Sequence, residues 1–349
     1  MVNWSDVRSL MLTIIREDSR FSNHEENNLN QWILGTGYYR SPNPNTSTLD
    51  LISVYAANLR NSGAPGPLAD KCAQMISGAI SNRNWVVENS ITQITERDLA
   101  DACLDFLGTN ENFQLVKNTT TNYEGQLRNL NTGVLVNLIR SVSRFIDMLC
   151  TNYNGNAIEY SKSFDLNLNS KDLIKMKFKE ISGFPGIGIP LAMNFLKDSQ
   201  MPSIANRSLN QLITNPIAGF VKPDKHVMRL MLCASGRFSQ TNINNESLFN
   251  MKDKDTVRLY RDYAPNYLGQ NDYCLGTDDH RNAIPYWKCI EDIHNWSIRD
   301  QIPPIEIDRI LYLIGSGRYG PVTNGIADAA PRLSVTQYSR YARFINLFQ

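Results

Sequence analysis

The feature that most restricts the fold is a spacing. Apolar residues return at i, i+3, i+4, i+7 and i+8 along segment after segment, and they nowhere alternate for long enough to build a sheet. Val7, Leu10, Met11, Ile14 and Ile15 form one such stripe, which lines one side of a helix turning every 3.6 residues or so and leaves the rest to solvent. Ser5 stands just before it as the expected N-cap. The same spacing predicts helices over Leu49 to Leu59, Leu99 to Leu107, Leu135 to Leu149, Leu173 to Ile181, Leu191 to Leu196, Val227 to Cys233 and Ile307 to Ile314. Between them, Ser41-Pro42-Asn43-Pro44-Asn45, Gly63-Ala64-Pro65-Gly66-Pro67 and the Asn-rich stretch from Asn118 to Asn131 read as loops. An all-α protein is expected.

With 349 residues, the chain exceeds what one core of about 250 to 300 residues holds. Two helical lobes with a cleft between them are therefore expected. A hydrophobic content of 42%, a charged content of 20% and a mean hydropathy of -0.34 belong to a soluble globular chain. No run approaches the roughly 18 apolar residues of a membrane span, so no membrane partner is expected. The opening Met1-Val2-Asn3-Trp4-Ser5-Asp6 carries neither a basic leader nor an apolar signal core, and cytoplasmic residence is the expectation. Six cysteines, at 72, 103, 150, 233, 274 and 289, include no C-x-x-C pair and read as free thiols. Cys274, Asp278, His280, Cys289 and His294 are the one stretch to test as a metal site, although their spacing fits no standard zinc pattern.

Charge is uneven. The net is +1, yet Lys171 to Arg237 holds ten Lys/Arg against four Asp/Glu. Such an excess suits a phosphate-binding face, and equally a solvated lysine-rich helix. Within this stretch a basic amphipathic helix ending near Ile181 is followed by Gly183-Phe184-Pro185-Gly186-Ile187-Gly188 and a second helix from Ile189-Pro190-Leu191-Ala192. Glycine reaches positive φ and lets a phosphate approach the main chain with no Cβ in the way. The unpaired amides and dipole at the start of the second helix make an anion site. Pro190 fits the first turn, where its missing N–H costs little.

Phe184-Pro185-Gly186-Ile187-Gly188 resembles the hairpin of the helix-hairpin-helix DNA glycosylase superfamily, which reads leucine or phenylalanine, proline, glycine, aliphatic, glycine, and it matches at all five positions. The family's catalytic aspartate follows in a short loop written valine-aspartate-threonine-histidine. Val221-Lys222-Pro223-Asp224-Lys225-His226-Val227 supplies Asp224 and His226 in the same relative places. The resemblance covers residues 130 to 240 or so. It implies a core over 81–240, flanked by a helical region over 1–80 and one over 241–349 that packs on the core.

Two departures shape what the resemblance implies. Bifunctional members carry a nucleophilic lysine two residues after the last hairpin glycine, where this chain has Pro190. A monofunctional enzyme, releasing a base without cutting the strand through an imine, is implied. Gly188 to Asp224 spans 36 residues, longer than is usual, with an extra piece around Met201 to Gly219 that is either a pocket element or a loop.

Breaking an N-glycosidic bond builds positive charge on the sugar. A carboxylate across the ring stabilises that charge and can orient or deprotonate the attacking water. Asp224 is the expected carboxylate, and it is also a good helix N-cap. The amides of Gly186, Ile187, Gly188 and Ile189, with Lys222, Lys225 and His226, are the expected DNA contacts; Gln93, in the polar turn Asn89 to Thr95, is the expected wedge. Trp32, Tyr38, Tyr39, Trp85, Phe145, Tyr286 and Trp287 are the aromatic candidates for a base pocket, each also a candidate for the core. By resemblance the carbonyls of Ser182, Phe184 and Ile187 would meet an adventitious K⁺ or Na⁺, and no organic cofactor is implied. A C-terminal helix is expected to start after Pro303-Pro304 and stop at Gly315, with Gly315 to Arg318 as its cap or as cleft lining. The expected partner is double-stranded DNA with a modified base, bound by a monomer. The substrate reads as alkylated or damaged bases, or as bulky modified bases of phage DNA. A non-catalytic DNA-binding module is the alternative.

Overall fold

The computed structural model describes residues 3–18, 25–34, 43–60, 66–113, 116, 123–131, 133–165, 167–234, 245–263, 280–317 and 333–348. Helices α1 (Trp4–Arg16), α2 (Glu25–Ile33), α3 (Thr48–Arg60) and α4 (Gly66–Asn82) lead into a small hairpin of β1 (Val86–Val87) and β2 (Ser90–Ile91). After it come α5 (Glu96–Thr109), α6 (Tyr123–Asn129), α7 (Val134–Tyr153), α8 (Ala157–Lys162), α9 (Ser170–Ile181), α10 (Ile189–Ile204) and α11 (Leu209–Leu212). The chain continues through α12 (Lys225–Ala234), α13 (Asn245–Asn250), α14 (Asp253–Tyr263), α15 (His280–Asp300), α16 (Pro304–Ser316) and α17 (Gln337–Asn346). Every stripe named from the sequence lies inside one of these helices. Among the described residues no helix is long and apolar enough to cross a membrane.

Two helix clusters pack together. In the first, α3 lies on α4, α7 and α8, while α5 packs on α4, α6 and α7. In the second, α12 is surrounded by α14, α15, α16 and α17. Helices α1 and α2 join this second cluster, against α16 and α17, so packing cuts across residues 1–80 rather than following them. Helix α10 touches α3 in one cluster and α15 in the other. An aromatic knot fixes it to the first cluster: Tyr55 of α3 stacks on Phe145 of α7 with ring centroids 4.1 Å apart, and Phe195 of α10 meets Tyr55 edge-on at 4.9 Å. The Tyr55 hydroxyl reaches Ser141 Oγ at 2.9 Å, so the knot buries no orphan there.

Helix α16 is the buried axis of the second cluster, and it carries Glu306, Asp308 and Arg309 within its apolar run. Trp4 Nε1 donates to Glu306 Oε1 at 2.9 Å, and Arg8 pairs with the same oxygen. The N-terminal helix is thereby tied to the C-terminal lobe through a buried carboxylate that needs such partners.

Three local expectations are corrected. Helix α1 starts at Trp4, so the cap is Asn3 and not Ser5; the Asn3 amide donates to Asp6 Oδ2 at 3.2 Å. Helix α16 runs to Ser316 and ends on Gly317 at φ +70, not on Gly315. Gly315 serves a different need, because a Cβ there would lie 2.6 Å from His226 Cβ and force α16 away from α12. Finally, a sheet exists, paired as Val86 with Ile91 and Val87 with Ser90. Glu88 and Asn89 both take left-handed φ, 48 and 65, in a two-residue turn of the type that suits strand twist. Strands of two residues are too short for alternation to reveal.

Candidate functional site

Asn169 starts α9 by accepting the Asp172 amide at 2.9 Å, and Leu173, Ile174, Phe178 and Ile181 turn inward along one face. Phe178 meets Trp287 of α15 edge-on at 4.9 Å. The chain then reverses through two left-handed glycines, Gly183 at φ +90 and Gly186 at φ +79. The Ile187 amide donates to the Phe184 carbonyl at 3.1 Å and closes the turn. Phe184 and Ile187 pack partly buried on the core, whereas Gly183, Gly186 and Gly188 are exposed. Helix α10 begins when the Leu191 and Ala192 amides return to the Gly188 carbonyl at 3.1 and 2.9 Å, with Pro190 in its first turn.

Four amides are left over. Those of Gly183, Gly186, Gly188 and Ile189 meet no acceptor among the described residues, and a Cβ at Gly183 or Gly186 would meet nothing within 4 Å. The turn therefore presents open N–H groups backed by the positive end of α10, which is what an anion needs. Of the three carbonyls expected near a monovalent cation, that of Phe184 already accepts the Ile187 amide; those of Ser182 and Ile187 receive no protein hydrogen bond among the described residues.

Asp224 caps α12. Its Oδ1 accepts the amides of His226 and Val227 at 2.9 and 3.0 Å, and its carbonyl takes that of Met228 at 2.8 Å. Oδ2 has no protein partner among the described residues, and the side chain is partly exposed. The loop leading in is anchored by the buried Phe220, Val221 and Pro223. The Lys222 amide donates to Asp308 Oδ1 at 2.9 Å, and the Lys222 carbonyl accepts the Asp224 amide at 2.8 Å. Asp308 Oδ2 receives Lys197 Nζ of α10, also at 2.9 Å.

The side chains around Asp224 differ in what they offer. Lys222 has no ionic partner among the described residues, while Lys225 pairs with Asp253 at 3.1 Å. His226 lies against Tyr312 and Gly315, with Nδ1 3.4 Å from the Tyr341 hydroxyl. Burial pushes its pKa down to about 4, an effect that the nearby Asp224 carboxylate only partly offsets. It is a packed, neutral imidazole at neutral pH and supplies no charge for a phosphate. The segment from Met201 to Gly219 is folded: after α11 a 3-10 turn over Pro216–Gly219 wedges beside α9, and His294 Nε2 lies 2.9 Å from the Gly219 carbonyl. A Cβ at Gly219 would meet Ser170 Cβ at 2.6 Å.

Other expected residues lie apart from one another. Gln93 is exposed between β2 and α5 and donates to Asp147 Oδ1 at 2.6 Å. Trp32, Phe145 and Trp287 are core residues at 4%, 0% and 2% exposure and present no face to a flipped base in this conformation. Trp85 and Tyr286 are partly buried, and Tyr38 and Tyr39 lie outside the described residues. Cys274 and Asp278 lie outside them too, and no group of three metal-ligating side chains occurs among the described residues. A groove of about 620 Å³ lined by Asn3, Trp4, Arg8, Asn210, Asp300 and Glu306 contains neither Asp224 nor the turn.

The basic excess is partly consumed inside the protein. Lys177 is buried, its ammonium 3.1 Å from Glu180 Oε1, 2.8 Å from the Tyr153 hydroxyl and over the rings of Tyr153, Tyr160 and Phe164. Arg229 is buried on Thr256 Oγ1 and the Phe249 carbonyl. Lys175, Lys179 and Lys222 remain without ionic partners among the described residues. Asp308 was not singled out from the sequence; the available signal was the charged Glu306, Asp308 and Arg309 set within an apolar run. No family model, no curated protein and no solved structure matches this chain.

Proposed function

We propose that this chain is a monofunctional DNA glycosylase of the helix-hairpin-helix kind, with the turn between α9 and α10 as the hairpin and Asp224 as the catalytic carboxylate in a cleft between the lobes. The observation that carries the reading is the division of labour within one side chain. Asp224 Oδ1 is committed to the α12 amides, which fixes the carboxylate, while Oδ2 is left for a substrate.

In this reading the Gly186, Gly188 and Ile189 amides hold one backbone phosphate, and Lys222 adds a charge beside the carboxylate. The target nucleotide leaves the stack, for a few kcal/mol. As the C1′–N bond breaks, its electron pair goes to the base and positive charge develops on the sugar, facing Asp224. An N-alkylated purine, already cationic, leaves as the neutral free base. Water adds at C1′, its proton passes to the Asp224 carboxylate and on to solvent, and the other product is an abasic deoxyribose. Pro190, standing where bifunctional members carry lysine, has no amine for an imine. Alkylated purines are the first substrate class to test, and bulky modified bases of phage DNA the second.

The test is to incubate the protein with DNA methylated by dimethyl sulfate, and with modified phage DNA, and to identify freed bases by mass spectrometry. Base release by the wild type, lost in Asp224→Asn with duplex binding retained, supports the assignment. Undiminished release in Asp224→Asn removes Asp224 from the chemistry. A second reading, a DNA-binding module without catalysis, is favoured by the cap itself, since two amide bonds account for an aspartate at 224 with no reaction. Binding without release from any of these DNAs would support it. A borohydride-trapped covalent adduct would contradict the monofunctional reading.

A further inference from the structure

We infer that Asp308, on α16, is a positioning residue for Asp224, acting through Lys222 and coupling the catalytic loop to the hairpin's second helix. The inference rests on the glycosylase reading for what Asp224 does, and on the geometry alone for the coupling. Asp308 is 1% exposed, and its two oxygens serve two different parts of the site. Oδ2 holds Lys197 Nζ of α10 at 2.9 Å, and Oδ1 holds the Lys222 amide at 2.9 Å. Lys222 passes the constraint on, since its carbonyl receives the Asp224 amide at 2.8 Å. From Asp308 to Asp224 there is thus one residue with both of its backbone polar groups committed.

A buried carboxylate needs this company, because a desolvated charge without partners is expensive. The need works in both directions. Pro223 contributes no amide, so the Lys222 amide, the Asp224 amide on the Lys222 carbonyl and the α12 cap are the hydrogen bonds that place Asp224 along the chain. Without an acceptor at 308 the Lys222 amide is an orphan next to the buried Val221, and the loop regains freedom just ahead of the reacting carboxylate. Misplacing a catalytic group by about 1 Å is enough for a rate loss of order 100-fold. Helix α10 and the Asp224 loop also share one anchor, so the loop is held against the helix that follows the hairpin.

Two variants separate this from a general loss of stability. Asp308→Asn keeps an oxygen that can accept the Lys222 amide, and Asp308→Ala removes it. Single-turnover base release from dimethyl-sulfate-treated duplex is measured at saturating enzyme, per folded molecule, alongside affinity for a duplex with a tetrahydrofuran abasic analogue. The expected result is a rate about 10- to 100-fold lower in Asp308→Ala, substantially rescued in Asp308→Asn, with affinity changed by no more than about threefold in either. Equal rates per folded molecule in Asp308→Ala and wild type overturn the inference, as do rate losses of the same size in both variants. A wild type that releases no base from any DNA sinks the glycosylase reading instead. Hydrogen exchange over the Lys222 to Asp224 segment then decides the coupling on its own: faster exchange in Asp308→Ala, with Asp308→Asn near wild type, supports it, and unchanged exchange in Asp308→Ala overturns it.

Discussion

Asp224 Oδ1 accepts the His226 amide at 2.9 Å, so this carboxylate is the start of α12 as well as a candidate reactant. The two roles answer to different substitutions. Asparagine caps a helix about as well as aspartate, whereas alanine at such a position costs about 0.5 to 2 kcal/mol. Asp224→Asn is expected to unfold near the wild-type urea midpoint, while Asp224→Ala unfolds earlier by an amount corresponding to about 1 kcal/mol. If catalysis depends on the charge, base release falls in both variants although only one loses stability. Equal destabilisation by both would mean that the charge, and not the cap, holds this corner of the fold.

His226 gives the protein a pH dependence of definite sign. Its folded pKa lies at about 4, below the 6.5 or so of an unfolded histidine. As pH falls through that window the unfolded chain takes up a proton before the folded one does. Stability is therefore fully present above pH 6.5 or so and declines towards pH 4, by at most about 1.4 kcal/mol per unit for this residue. Burial lowers the pKa of His294 as well, with the Gly219 carbonyl opposing, so part of the slope belongs to it. Urea midpoints are expected to drop between pH 6.5 and 5, above the range where most carboxylates titrate, and the drop should be shallower in His226→Gln. An identical slope in that variant would show that His226 is not the group involved.

The helical skeleton was legible because its signal is local. Val7 to Ile15, Leu135 to Leu149 and Lys171 to Leu196 each carry their own periodicity, and the reversal at Gly183 and Gly186 follows from two residues that tolerate positive φ. Asp224 was legible as a cap for the same reason. What escaped depends on contacts far apart in the chain. Asp308 meets an amide 86 positions away, and Glu306 meets Trp4 across 302; no spacing announces such pairs. Phe145 and Trp287 carry the same aromatic signature in a core as in a pocket, and only packing tells which it is. Lys177 misleads in a similar way, because a lysine in a basic stripe reads as solvated until its neighbours are known.

That lysine makes a prediction of its own. Lys177 is held by Glu180, Tyr153 and Ser163, and burial lowers its pKa against the opposing pull of the Glu180 carboxylate. Replacing it with methionine removes one partner and leaves the carboxylate and phenol behind. Glu180 retains some solvent, with its side chain 17% exposed, so the loss should fall below the 3 to 5 kcal/mol or so of a fully buried broken pair, at about 1 to 3 kcal/mol. Neutralising the survivor in Lys177→Met with Glu180→Gln should recover part of it. A double variant no more stable than Lys177→Met in urea titration would argue that Glu180 is already satisfied by Tyr153.

Gly186 offers the cleanest separation of fold from grip. At φ +79 an alanine is strained by about 1 to 2 kcal/mol, but its Cβ would meet no protein atom within 4 Å, so nothing beyond that strain should appear as lost stability. The methyl would instead stand on the open face of the turn, among the amides offered to a phosphate. Gly186→Ala is therefore expected to fold and to bind duplex DNA several-fold more weakly. The loss should be similar for methylated and unmethylated duplexes, because a phosphate contact carries no base information. Removing one phosphate contact should also make the plot of log affinity against log salt less steep by about one unit. Fluorescence anisotropy with both duplexes over a salt series reads both effects. Undiminished affinity in a folded Gly186→Ala variant would place the DNA elsewhere on the molecule, and a loss confined to the methylated duplex would move this turn from backbone grip to base recognition.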